Sequence, residues 1–250
     1  MAICPLCQQE RKQCDSHIVP EFLYAPTYEA DGRAYEVSAL GKKGRFVQKG
    51  RTEKLLCRDC ERHINDNLED YFSKLWYSPG VLPKEAPPAN IVLSGVDYSR
   101  FKLFHLSILW RASVARSVAF EQTHLGPFEP AIRRMLLELD PGDALTHQIF
   151  GTAMVTGRSP IINHAMVMPP LPFRSHGVNA YVAIYGGCFW EIVVSRRPVR
   201  GALEARMLRE DGSLTLGVSD MLQFGPLKRH YALFNEAARH GKWKLPWAGT

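Results

Sequence analysis

An α+β fold is what the sequence predicts, and three observations predict it. Five of the six cysteines fall within the first sixty residues, four of them in two C-x-x-C pairs. Residues 97–139 place apolar side chains at helical spacing. From about residue 146 the pattern changes to short runs of β-branched and aromatic residues broken by glycines. Helix and strand signals are segregated along the chain instead of alternating, which separates α+β from α/β.

The cysteine-rich part spans 1–78. Cys4-Pro-Leu-Cys7 reads as a tight knuckle, and "CDSHIVPEFLY" begins as a short strand that breaks at Pro20. Residues 27–54 read as short strands joined by glycine-containing turns. Cys57-Arg-Asp-Cys60 opens a helix whose apolar face carries Ile64, Leu68, Tyr71, Phe72 and Leu75. Prolines and glycines across 79–96 mark a linker. The remainder, 97–250, forms the second domain. It starts with a long helix over 97–125, with Arg111 and Arg116 off its apolar face, and a second helix over 128–139 with Pro130 in its first turn. Strands follow in "HQIFGTAMVT", "NHAMVM", "NAYVAIYGG" and "CFWEIVVS", the last two joined through Gly186-Gly187 as a hairpin. A further hairpin is expected to turn at Asp211-Gly212, a helix is expected over 225–241, and "KWKLPWAGT" reads as a loop.

Composition narrows the setting. The N-terminus lacks a basic leader followed by an apolar stretch, and the most apolar run, Phe101–Trp110, is too short and too charged to span a bilayer. A cytosolic protein with no membrane partner is therefore expected. In a reducing compartment, close cysteine pairs point to metal ligation and not to disulfides. Zinc takes four thiolates tetrahedrally, and a two-residue spacer lets both sulfurs of a pair face one ion. Cys4, Cys7, Cys57 and Cys60 are the expected ligands of a structural Zn2+, one pair in a knuckle and one opening a helix, as in a treble clef. Cys14-x-x-His17 offers an alternative pair of ligands. Cys188, in an apolar context, reads as a buried small hydrophobe.

The formal charge of +6 permits contact with nucleic acid without establishing it. Lys42, Lys43, Arg45, Lys49, Arg51 and Lys54 cluster in a glycine-containing stretch that suits a phosphate backbone, or equally a solvated hairpin.

Between the cysteine pairs stands Asp15-Ser16-His17-Ile18-Val19-Pro20. With Cys4-x-x-Cys7 before it and Cys57-x-x-Cys60 after it, this part of the chain, roughly residues 1–75, resembles the HNH, or ββα-metal, endonucleases. The resemblance implies that His17 is a general base taking a proton from water that attacks a backbone phosphate, with Mg2+ or Mn2+ neutralising the phosphate. It implies DNA as partner and hydrolysis of phosphodiester bonds as activity, in bacterial defence or on a mobile element. The chain departs from the family pattern at three places. Ser16 stands where the family has an aspartate ligand, Thr52 and Glu53 stand near its middle asparagine, and Glu61 stands at its final asparagine or histidine. Glu61 is the expected cation ligand and His63 the fallback. The alternative reading is a non-catalytic zinc module that binds nucleic acid or protein.

Overall fold

The structure, a computed structural model, describes residues 1–36, 45–48, 50–157 and 159–221. The expected helix over 225–241 and the tail after it lie outside the described residues. The chain is mixed α+β, with one large sheet and few helices.

The N-terminal part is made of small pieces. Strands β1 (Ala2–Ile3) and β2 (Glu10–Arg11) flank the first knuckle as an antiparallel pair. Strand β3 (Gln13–His17) pairs antiparallel with β6 (Thr52–Cys57), and β4 (Ala34–Glu36) pairs with β5 (Arg45–Val47). Among the described residues, none of these pairs has a third strand. Two-stranded ribbons are marginal alone, so this part depends on what packs against it.

Helix α1 (Arg58–Ile64) follows β6 directly and runs through a π-helical turn, Asn65–Glu69, into α2 (Asp70–Trp76). The expected apolar face is buried at Ile64, Leu68 and Phe72, and Trp76 extends it. The π turn departs from the uninterrupted helix that the spacing predicts. Single π turns inside α-helices recur at functional sites, and Glu69 at its end meets a buried arginine described below.

The large sheet has the order β10-β11-β12-β8-β13-β7, with β9 joined to β8. These strands are β7 (Asn90–Leu93), β8 (Ile149–Thr156), β9 (Ser159–Ile162), β10 (Met168–Ser175), β11 (Val178–Tyr185), β12 (Cys188–Val193) and β13 (Leu214–Asp220). The Gly186-Gly187 hairpin forms as expected, with Tyr185 opposite Cys188 and both glycines at positive φ. Three strand readings need correction. Residues 79–96, expected as a linker, contribute edge strand β7. In "NHAMVM" only Met168 is in a strand, because the Asn163 side chain bonds Thr156 and the Ala165 amide and turns the chain. The turn at Asp211-Gly212 exists, but a 3-10 helix, Gly201–Arg206, precedes it in place of a strand. Its other arm, β13, instead pairs antiparallel with β7 and parallel with β8. Gly212 explains that docking: its φ is +76°, and a Cβ there would lie 2.1 Å from the Val96 carbonyl oxygen.

Helix α3 (Tyr98–Val114) lies between the α1–α2 segment and the sheet, with α4 (Glu129–Glu138) beside it. Every residue from Phe101 to Ala112 is buried. A one-sided apolar stripe was expected; a helix buried on all sides is a core helix. It is also shorter than the expected 97–125. Asp97 caps its start through the Arg100 amide, and Ala115 leaves helical geometry. The next two amides, Arg116 and Ser117, donate to the Glu53 carboxylate on β6.

One apolar cluster runs from Cys4 and Leu6 through Phe72, Trp76 and Phe104 to Trp190 and Leu216. Phe72 stacks on Phe104 with centroids 3.8 Å apart, and Trp76 lies 5.3 Å from Trp190. Each such fully buried side chain contributes about 1.5–3 kcal/mol. The cysteine end and the sheet therefore share one core. Among the described residues, no helix is long and apolar enough to cross a membrane.

Candidate metal centre and the surroundings of His17

The first knuckle is closed by backbone bonds. The Cys4 amide donates to the Gln9 carbonyl, the Gln8 amide donates to the Cys4 carbonyl, and Gln8 adopts φ 59°. This turn aims Cys4 and Cys7 inward. Cys57 ends β6 and Cys60 sits in the first turn of α1, so the second pair straddles a strand-to-helix junction. The Cys57 amide donates to Cys4 Sγ over 3.3 Å, tying the two pairs together.

The four sulfurs all lie within 4.8 Å of one another, and Cys7 Sγ is 3.9 Å from Cys57 Sγ. A tetrahedron with metal–sulfur bonds of about 2.3 Å has edges of about 3.8 Å. Cys4, Cys57 and Cys60 are buried, and all four thiols are free. A hydrogen bond from Cys60 brings the Cys4 thiol down to about 4 against the opposing effect of burial, while burial pushes Cys7 up. Four thiols so close cannot all ionise without a cation among them; a soft divalent metal such as zinc matches that donor set. Among the described residues, no other three histidine, cysteine or carboxylate ligands converge in this way. Cys14 and His17 stand outside the group.

His17 ends β3, opposite Thr52 of β6. Its carbonyl accepts from Arg111 Nη1 over 2.8 Å. Its ring is 28% exposed, with Nε2 2.9 Å from Glu21 Oε2. Glu61 sits in the first turn of α1, where an acidic side chain suits the helix dipole. Its Oε2 accepts from Ser16 Oγ over 2.6 Å, and Ser16 Oγ accepts from the Leu56 amide over 3.1 Å. Ser16 is fully buried. Ser16 is thus a bridge between β6 and Glu61. Burial pushes the Glu61 carboxyl up from its ordinary range, while the Ser16 hydrogen bond and the charge of Arg111 act against it. Glu69 adds to the rise and His17 opposes it, so these groups share one electrostatic neighbourhood.

Arg111 holds that neighbourhood together. It was expected off the apolar face of its helix, yet its side chain is 1% exposed. It is paid for by partners on every side: Nη2 lies 2.7 Å from Glu69 Oε1, and Nε and Nη2 reach the Ser107 carbonyl and hydroxyl at 3.3 Å. A buried guanidinium with these contacts is compensated and not stranded. The fallback residue His63 is turned elsewhere, with Nε2 2.9 Å from the Leu136 carbonyl. Glu53 is engaged by the end of α3, as described above.

Of the six clustered basic residues, Lys42, Lys43 and Lys49 lie outside the described residues, as does the side chain of Arg45. Arg51 forms an ion pair with Glu36, and Lys54 Nζ lies 2.6 Å from Asp15. Both described members already have acidic neighbours.

Sequence reasoning missed Glu21, Glu69 and Arg111. Glu21 had a signal, its position four residues after His17 across Pro20. Arg111 had none, since its partners are 42 and 94 positions away in sequence. Comparisons with protein families, with curated proteins and with solved structures gave no match to this chain.

Proposed function

We propose that this chain is a metal-dependent, HNH-like endonuclease that hydrolyses phosphodiester bonds in DNA, with a structural zinc in a treble-clef head. The observation that carries this reading is the placement of His17. It ends one strand of an antiparallel pair that runs straight into a helix, with four convergent thiols at the junction and its ring partly exposed. The zinc, held by Cys4, Cys7, Cys57 and Cys60, pins the knuckle to the helix.

In this reading His17 accepts a proton from the attacking water. Glu61 is the residue that would hold a hard cation, with Ser16 orienting its carboxylate. A magnesium or manganese ion, when bound, supplies neutralisation of the scissile phosphate. Magnesium keeps several waters and binds through one or two carboxylates, so a single protein carboxylate is compatible with it. Arg111 fixes the strand end by its bond to the His17 carbonyl.

The test is supercoiled plasmid incubated with the full-length, zinc-loaded protein and Mg2+ or Mn2+, beside His17→Ala. Metal-dependent nicking that His17→Ala lacks supports the reading. Equal nicking by both proteins, or none under either metal, removes it.

The second reading, a zinc module that binds without chemistry, has one specific observation in its favour. Glu61 is already bonded to Ser16, and burial favours its neutral form. Binding of DNA by both wild type and His17→Ala, with no cleavage by either, is what this second reading expects.

A further inference from the structure

Glu21 is held more firmly than a surface carboxylate needs to be. Its Oε1 accepts from the Tyr28 hydroxyl, and its Oε2 accepts from the Gly50 amide over 3.1 Å. The same Oε2 lies 2.9 Å from His17 Nε2. Three separate pieces of chain therefore converge on one carboxylate: the end of β3, the turn at Tyr28 and the Gly50 backbone two residues before β6.

The local structure explains how Glu21 reaches this position. Pro20 cannot extend β3 and instead caps a 3-10 turn, Glu21–Leu23, which folds the carboxylate back beside His17. Gly50 supplies the close backbone approach. A Cβ there would lie 2.5 Å from the Tyr24 ring and 3.0 Å from Glu21 Oε2. Burial first, and Glu21 second, keep the Tyr28 phenol protonated far above its ordinary range, so it remains a donor.

We infer that Glu21 is the positioning residue of His17, fixing the imidazole as the tautomer protonated on Nε2. This inference rests on the nuclease reading for the use to which the tautomer is put. A carboxylate opposite one ring nitrogen selects the form with its proton there, and leaves the other nitrogen as acceptor. His17 Nε2 is itself buried with no aligned hydrogen-bond partner, so its 2.9 Å approach to the Glu21 carboxylate acts through charge, and the exposed portion of the ring lies elsewhere on it. In the reaction, Nδ1 takes a proton from water as the water oxygen bonds to phosphorus. The phosphorus–oxygen ester bond breaks, and the leaving oxygen keeps the electron pair and is protonated by solvent. The imidazolium formed on His17 then faces the Glu21 carboxylate, which stabilises it.

The experiment uses full-length, zinc-loaded protein labelled with 15N, as wild type, Glu21→Gln and Tyr28→Phe. Ring nitrogen shifts report the His17 tautomer directly, and plasmid cleavage reports kcat and KM. The expected result is a single Nε2–H tautomer in wild type and a mixture in Glu21→Gln. With it comes a loss of at least about tenfold in kcat at little change in KM. Tyr28→Phe, which leaves Glu21 in place with one donor fewer, shows a smaller change in the same direction and serves if Glu21→Gln loses its zinc. An Nδ1–H wild type overturns the inference, as does a tautomer unchanged by both substitutions. A wild type that shows the expected tautomer shift yet cleaves nothing supports Glu21 as the orienting group and defeats the nuclease reading alone.

Discussion

Two histidines, His17 and His105, sit at opposite extremes of the same molecule. His105 lies on α3 with no exposure, ringed by Phe72, Phe101, Phe104 and Trp190. Its Nδ1 is 2.5 Å from the Tyr185 hydroxyl, and burial holds its pKa well below the ordinary imidazole value. His17 ends a two-stranded ribbon, opposite Thr52 and at the other end of the pair from Cys57, partly exposed and facing a carboxylate. The first is enclosed by apolar surface that forms the fold. The second is placed by polar contacts and by a cysteine cluster whose own stability depends on what fills it. A histidine's role follows from which of these two kinds of surroundings supports it.

The largest effect expected is from removing the metal. Structural zinc sites of this donor type are worth about 10 kcal/mol or more to the modules they fold. Native mass spectrometry should find one zinc per chain. Chelation should remove hydrogen-exchange protection from residues 2–17 and 52–64 while β11 and β12 stay protected. Simultaneous loss in both places would show that the shared core does not let the sheet stand without the cysteine end, and would weaken the contrast.

Substituting the two histidines sharpens it next. His105→Ala empties a fully enclosed site, so a loss of about 3 kcal/mol is expected in urea unfolding. His17→Ala removes a partly exposed ring and should cost less than about 1 kcal/mol. Comparable costs would mean that His17 is a packing residue too.

A last effect, far smaller than loss of the metal, concerns Lys102, one turn before His105. Its Nζ bonds the Tyr98 hydroxyl and the Asp143 carbonyl, and burial lowers it to about 8, with Asp143 and Glu210 opposing. Between pH 8 and the ordinary lysine value the unfolded chain carries a proton that the folded chain has released. Stability from this group therefore rises with pH through that window. Between pH 7 and 9 the wild type should gain about 1 kcal/mol relative to Lys102→Met. Parallel pH profiles would place Lys102 in water after all.

Much of this molecule was legible in its sequence. The cysteine pairs read correctly as one converging group, because a two-residue spacer leaves little freedom in where two sulfurs point. The helix after Cys60, α4 and the Gly186-Gly187 hairpin follow from periodicity and turn chemistry, which act over a few residues. Other features depend on distant partners. Helix α3 stops at Val114 beside the Glu53 carboxylate, which takes the two amides that follow Ala115. Strand β13 lies between β7 and β8 instead of in a local hairpin, because the turn at Gly212 docks on Val96.

The candidate site divides the same way. The sequence by itself determined which thiols gather, that a histidine ends the strand between them, and that Glu61 opens the helix. Those features are set by spacing along a short stretch of chain. Only the tertiary structure decided that Glu21 faces the ring, that Ser16 bridges to Glu61, and that Arg111 reaches from α3 to the carbonyl of His17. Hydrogen bonds and ion pairs are short-ranged and directional, so partners far apart in sequence are chosen by how the elements pack.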